Sequence, residues 1–160
     1  MREYLLFPLF LSLSCGYGLR GIKVEEKKDS LRLVVINRTS EPELEIMVKK
    51  ESIKAFERGG FEVMDDAKNS ISIYILSYSS IPSPFFSPTR PSYRVSMMVK
   101  AVFEKEERKK ESRFSQYEEY LKSGIISFDR EREEAAKNSI VKLIVDEIYE
   151  EFINFLNEKD

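Results

Sequence analysis

Residues 70–78 read SISIYILSY, and residues 93–103 read YRVSMMVKAVF. Both alternate with a period of two, the spacing that sends successive side chains to opposite faces of a strand. In the first, Ile71, Ile73 and Ile75 share one face, with Tyr74, Leu76 and Tyr78 on the other. In the second, Tyr93, Val95, Met97, Val99, Ala101 and Phe103 oppose Arg94, Ser96, Met98 and Lys100. The two are expected to pair as a hairpin. Residues 81–91 between them carry four of the six prolines of the chain, so this stretch is expected to project as a stiff loop rather than pair as strand.

Toward the N-terminus, residues 30–37 (SLRLVVIN) form a β-branched run closed by the polar stretch Asn37-Arg38-Thr39-Ser40, a strand followed by a turn. Ser40 and Glu43 have capping-box spacing, and Pro42 suits a first helical turn, which predicts a helix to about Arg58. Leu44, Met47, Val48, Ala55 and Phe56 share one helical face, and Gly59-Gly60 supplies the stop. Ile46 and Ile53 fall on the opposite side, either as incidental surface or as a partner contact. Toward the C-terminus, residues 104–113 hold charges of both signs and no apolar residue, as a solvated turn would. Phe114, Tyr117 and Tyr120 mark a fourth strand.

From Phe128 the period becomes helical through Ala135, Ile140, Leu143, Ile144, Ile148, Phe152 and Leu156. Val141, Val145, Tyr149, Ile153 and Phe155 lie outside that stripe, so apolar residues take up more than half of the helix circumference, more than one sheet easily covers. Tyr149 and Ile153 are therefore candidate partner contacts. The order β-α-β-β-β-α predicts an α+β sandwich in which two helices pack on one face of a mixed four-stranded sheet, with the first two strands parallel and the other face free.

A length of 160 residues fits one domain, and 42% hydrophobic with 34% charged residues fits a folded one. Histidine is absent, which removes Ser-His-Asp and Cys-His catalysis and histidine-bearing zinc sites. No serine sits in a nucleophile motif, and Asp65-Asp66 reads as a turn, since a hard cation needs several converging oxygens. Neither an enzyme nor a bound cofactor or metal is expected.

The single cysteine, Cys15, follows a short apolar run that begins at Tyr4. That run is too short to span a membrane but suits a signal-peptide core. Residues 1–14 are expected to be an export signal, 15–29 a tether and 30–160 the domain; Leu11-Ser12-Leu13-Ser14-Cys15-Gly16 resembles the bacterial lipoprotein cleavage site, which implies that Cys15, rather than being a plain buried or free thiol, is acylated and anchors the chain to a membrane it does not cross. Cleavage there removes one basic and one acidic residue, Arg2 and Glu3, so the formal charge stays at −2.

Residues 67–103 contain no acidic residue and four basic ones, Lys68, Arg90, Arg94 and Lys100. Arg94 and Lys100 share a strand face at the base of the loop that carries Arg90. The three either converge on one anion or serve as cross-strand partners and solubility charges. Phe85 and Phe86 in the loop offer an apolar contact for acyl chains or a partner, or else a tucked anchor. A nucleic-acid partner would need a more basic face.

The stretch Cys15-Gly16-Tyr17-Gly18-Leu19-Arg20-Gly21 behind the leader, followed by Asn37-Arg38-Thr39-Ser40-Glu41-Pro42-Glu43-Leu44-Glu45, resembles the LptE family of lipopolysaccharide-assembly lipoproteins. The resemblance covers most of the mature chain and includes the family's sandwich of two helices on a sheet. It implies an outer-membrane location, a partner of the LptD kind whose large β-barrel this chain would plug, and binding of lipopolysaccharide.

Overall fold

The computed structural model describes residues 29–83 and 91–158. In chain order the elements are β1 (Ser30–Asn37), α1 (Glu43–Arg58), β2 (Glu62–Val63), β3 (Asn69–Pro82), β4 (Ser92–Lys105), β5 (Arg108–Leu121) and α2 (Ile126–Asn157). The sheet runs β2-β1-β3-β4-β5. β1 is parallel to both β2 and β3, whereas β3, β4 and β5 form an antiparallel meander. Both helices lie on one face, as the order of elements predicts. The sheet has five strands rather than four: β2 is only two residues long and gives no alternation to read, yet Met64 N–H donates to the Leu31 carbonyl at 2.9 Å.

Local chemistry sets the ends of α1. The expected capping box does not form, since Pro42 holds the N-cap position and no side chain caps the helix. Asn37 organises the turn in its place. Its Oδ1 accepts from Thr39 N–H at 2.9 Å and from Thr39 Oγ at 2.8 Å, while its Nδ2 donates to the Glu41 carbonyl at 2.7 Å. At the other end, Phe61 N–H reaches the Phe56 carbonyl at 3.0 Å and Gly60 N–H the Glu57 carbonyl at 3.1 Å. This is a Schellman closure, and it needs the positive φ of 89° at Gly60.

A shift of register between Ile75 and Ser77 in β3 overturns one facial assignment. Leu76 is the extra residue, so beyond it the phase inverts and Tyr78 pairs with buried Met97 on the helix side. Tyr78 packs against the core there, and burial pushes its phenol well above the usual range. β3 also continues through Ile81 and Pro82, which pair with Arg94 and Tyr93. The proline is tolerated because β1 has ended by then and the outer edge of β3 is unpaired.

The charge run is not merely a turn. Only Glu106 and Glu107 turn the chain, and the residues from Arg108 onward are β5. As an edge strand, β5 is polar on both faces, which discourages pairing with another chain. Its helix-side residues meet the flank of α2: Lys110 lies 3.2 Å from Glu151, and Ser112 Oγ donates to Glu151 at 3.3 Å.

The expected surplus of apolar surface on α2 is also corrected. Val141, Val145 and Phe155 are buried, because α2 is walled by α1 as well as by β4 and β5. Ala135 and Leu143, which the periodic stripe includes, are exposed instead. At the centre, Phe152 packs against Phe56, Phe61, Phe103 and Phe155 with ring centroids 5.6–6.4 Å apart.

The turn into α2 is built on Asp129. Its carboxylate accepts from the Ser123 N–H at 2.6 Å, the Ser123 hydroxyl at 2.9 Å and the Gly124 N–H at 3.1 Å. The backbone donation from Ser123, joined by its hydroxyl and by Gly124, holds the carboxyl below the ordinary aspartate range. A lowered folded value stabilises the turn above the unfolded pKa, and that stability is lost as pH falls through the folded one. The protection factors of the Ser123 and Gly124 amides, taken relative to the intrinsic exchange rate at each pH, should therefore fall on acidification, whereas in Asp129→Asn they should already be low at neutral pH.

Candidate functional site

The face of the sheet without helices carries a cluster of cations. β-sheet register places Ile36, Tyr74, Lys100 and Arg113 in one row across β1, β3, β4 and β5. Lys100 and Arg113 are direct cross-strand partners, so two like charges stand opposite each other, an arrangement that costs stability when nothing offsets it. The Tyr74 ring offsets part of it, with the Lys100 Nζ and the Arg38 guanidinium carbon each 5.0 Å from its centroid. Those two cations are thus no more than twice that distance apart. Lys100 also lies 3.5 Å from Glu111. Among the described residues, no carboxylate pairs with Arg38 or Arg113.

Around this cluster the open face is mixed. Exposed Met98 and Ile36 supply apolar surface, and Ser115 stands opposite Met98. Three cations beside an aliphatic and aromatic floor can hold a multiply charged anion attached to an apolar body. Charge-assisted hydrogen bonds engage the anionic end, and arginine donates two in parallel.

Of the residues expected to bind an anion, the structure brings Lys100 into the cluster and leaves Arg94 elsewhere. Arg94 and Lys100 are six residues apart on β4, about 20 Å at the ~3.3 Å rise of a strand, so they do not converge on one anion. Arg94 is committed to Glu119: its Nε and Nη2 donate to one carboxylate oxygen at 3.1 and 2.7 Å, and its guanidinium lies 4.6 Å over the Tyr117 ring. Arg94, and then Ser83, hold the Glu119 carboxyl below the usual range. The acid-free stretch 67–103 thus finds its acids on the neighbouring strand. Arg38 and Arg113 are the contributors that sequence reasoning missed.

The remaining site residues divide by location. Cys15, Phe85, Phe86 and Arg90 lie outside the described residues. Tyr149 and Ile153 are half-buried and packed on the core. The Tyr149 ring stands 5.4 Å from that of Phe56 and fills the space beside Gly59, where a Cβ would overlap it. Among the described residues, no group of three or more Cys, Asp or Glu side chains could hold a metal, and no helix is long and apolar enough to cross a membrane.

Comparison with known proteins agrees with this architecture. Residues 29–152 match the model of the LptE family, described as lipopolysaccharide-assembly. No curated protein sequence matches the chain. The fold is similar to that of the minor lipoprotein from Acinetobacter baumannii, with a TM-score of 0.57 at 10% identity, covering 78% of this chain and 90% of that one. It is also similar to rare lipoprotein B from Shewanella oneidensis, with a TM-score of 0.58 at 11% identity over 78% of this chain and 95% of that one.

Proposed function

The chain belongs to the LptE family of lipopolysaccharide-assembly proteins, and from that premise we propose that it is an outer-membrane lipoprotein, acylated at Cys15, that seats in a large β-barrel partner of the LptD kind and binds lipopolysaccharide on its open sheet face. The observation that carries the binding reading is the row in which Arg38 and Lys100 flank the Tyr74 ring and Arg113 stands opposite Lys100 on the next strand. Lipopolysaccharide joins multiply anionic phosphates to an apolar body, which is the chemistry this face complements. Its role is non-enzymatic: the chain binds and positions, and the barrel partner supplies the passage.

Two measurements test the proposal. Tagged protein taken from detergent-solubilised envelopes should carry a large barrel protein with it in near-stoichiometric amount. Retention without such a companion would remove the plug reading. Cys15→Ala should lose acyl labelling and release the domain from the membrane fraction, and unchanged labelling would remove the anchor. If the barrel is retained while the domain shows no affinity for lipopolysaccharide, the chain is a structural adaptor only.

A further inference from the structure

The outward side of α1 carries a second, separate surface. Ile46, Lys49, Lys50, Ile53 and Lys54 fall at positions i, i+3, i+4, i+7 and i+8 and together line a shallow depression. Ile46 is 71% exposed although it is a large aliphatic side chain. The lysine stems extend its apolar floor while their ammonium groups reach the rim. Lys54 pairs with Glu51 at 3.1 Å, and the groove toward α2 adds Arg58 and Lys142 beside Glu57. Five cations therefore stand against three carboxylates, Glu51, Glu57 and Asp146 beside Arg58, on this side of a chain whose total charge is −2. Of the other acids of α1, Glu43 is held by Lys137, and Glu45 stands one turn before Lys49 at the edge of the stripe.

We infer that the outward face of α1 lies on an anionic phospholipid surface, with Ile46 and the edge of Ile53 entering the headgroup boundary and Lys49, Lys50 and Lys54 on the headgroups. An aliphatic strip collared by lysines is what an interfacial helix presents to such a surface. A second copy of the chain is a poor occupant, because pairing this face with itself would set lysine against lysine. Each lysine near an anionic surface strengthens binding about fivefold, so Lys49→Glu with Lys50→Glu should weaken it by at least ~25-fold. The inference does not rest on the open sheet face: that double variant is expected to keep its affinity for lipopolysaccharide, which separates failure of one reading from failure of the other.

The chain contains no tryptophan, so a single introduced one reports cleanly. Full-length protein with Cys15→Ser and Ile46→Trp is mixed with vesicles of phosphatidylethanolamine and phosphatidylglycerol, and compared with Leu143→Trp on the exposed side of α2. Both sites are exposed, and circular dichroism confirms that each variant is folded. The expected result is a blue-shifted emission, quenched by brominated lipid, for Ile46→Trp alone. It should be absent with pure phosphatidylcholine vesicles and abolished by reversal of Lys49 and Lys50. An unchanged Ile46→Trp emission, or equal quenching in Leu143→Trp, would overturn the proposal.

Discussion

Phe152→Ala should remove a large part of the stability of the domain. The side chain is fully buried and is the hub of the aromatic cluster, meeting Phe56 and Phe61 from the α1 side, Phe103 from β4 and Phe155 from its own helix. Removing such a ring costs about 3–5 kcal/mol, the lost transfer energy together with the cavity left behind. The cavity cannot close easily, because its walls belong to different elements and α1, α2 and β4 would all have to move. Against a typical total of ~5–15 kcal/mol, that is a large fraction. Urea denaturation of the variant should give a midpoint far below that of wild type, with Leu143→Ala as a near-neutral surface control. A loss under about 1 kcal/mol would mean that the cluster repacks and that helix-to-sheet contact elsewhere carries the stability.

Much of this core was legible because its residues obey simple periods. Ile71, Ile73 and Ile75 and the alternation from Val95 to Phe103 give β3 and β4 their facing, and SLRLVVIN gives β1 its limits. What the periods miss has identifiable causes. One extra residue at Leu76 inverts the phase of β3, and nothing in the composition of that strand announces it. Phe114, Tyr117 and Tyr120 mark the second half of β5, but residues 108–113 escape because they are polar on both faces and carry no alternation between apolar and polar. The apolar arc of α2 reads as surplus when its only wall is a sheet, whereas α1 provides a second one, and Val141 and Val145 disappear into the core.

The candidate site was half legible for a related reason. A stretch without acids looks cationic along the chain, yet Arg94 meets Glu119, 25 residues away, only through strand pairing. Arg113 could have been found: a hairpin centred on Glu106-Glu107 sets it opposite Lys100, but the charge run hides that hairpin. Arg38 sits beyond the end of β1, and its place over Tyr74 depends on the parallel register of β1 with β3, which no local pattern encodes.

The expected consequence of that geometry is specific to Lys100 and Arg113. Lys100→Glu with Arg113→Glu should lower the affinity of the purified protein for lipopolysaccharide by on the order of 100-fold, since hydrogen bonds to charged groups contribute ~1.5–3 kcal/mol each and 1.4 kcal/mol is tenfold. The loss should be larger at low ionic strength than at high, because these side chains are solvent-facing and salt screens them. Stability should fall modestly in the same variant, since the reversal gives up the contacts of Lys100 with Glu111 and with the Tyr74 ring. Wild type already sets two like charges opposite each other, and the reversal sets two others in their place, now beside Glu111. Arg94→Glu is the contrasting case. Its guanidinium is occupied by Glu119, so its reversal should disturb the outer ends of β4 and β5, lower the melting temperature modestly and leave lipopolysaccharide affinity close to wild type. If Arg94→Glu abolishes binding while the Lys100 and Arg113 reversal does not, the site lies toward the loop end of the sheet and the row through Tyr74 is a structural feature of the fold.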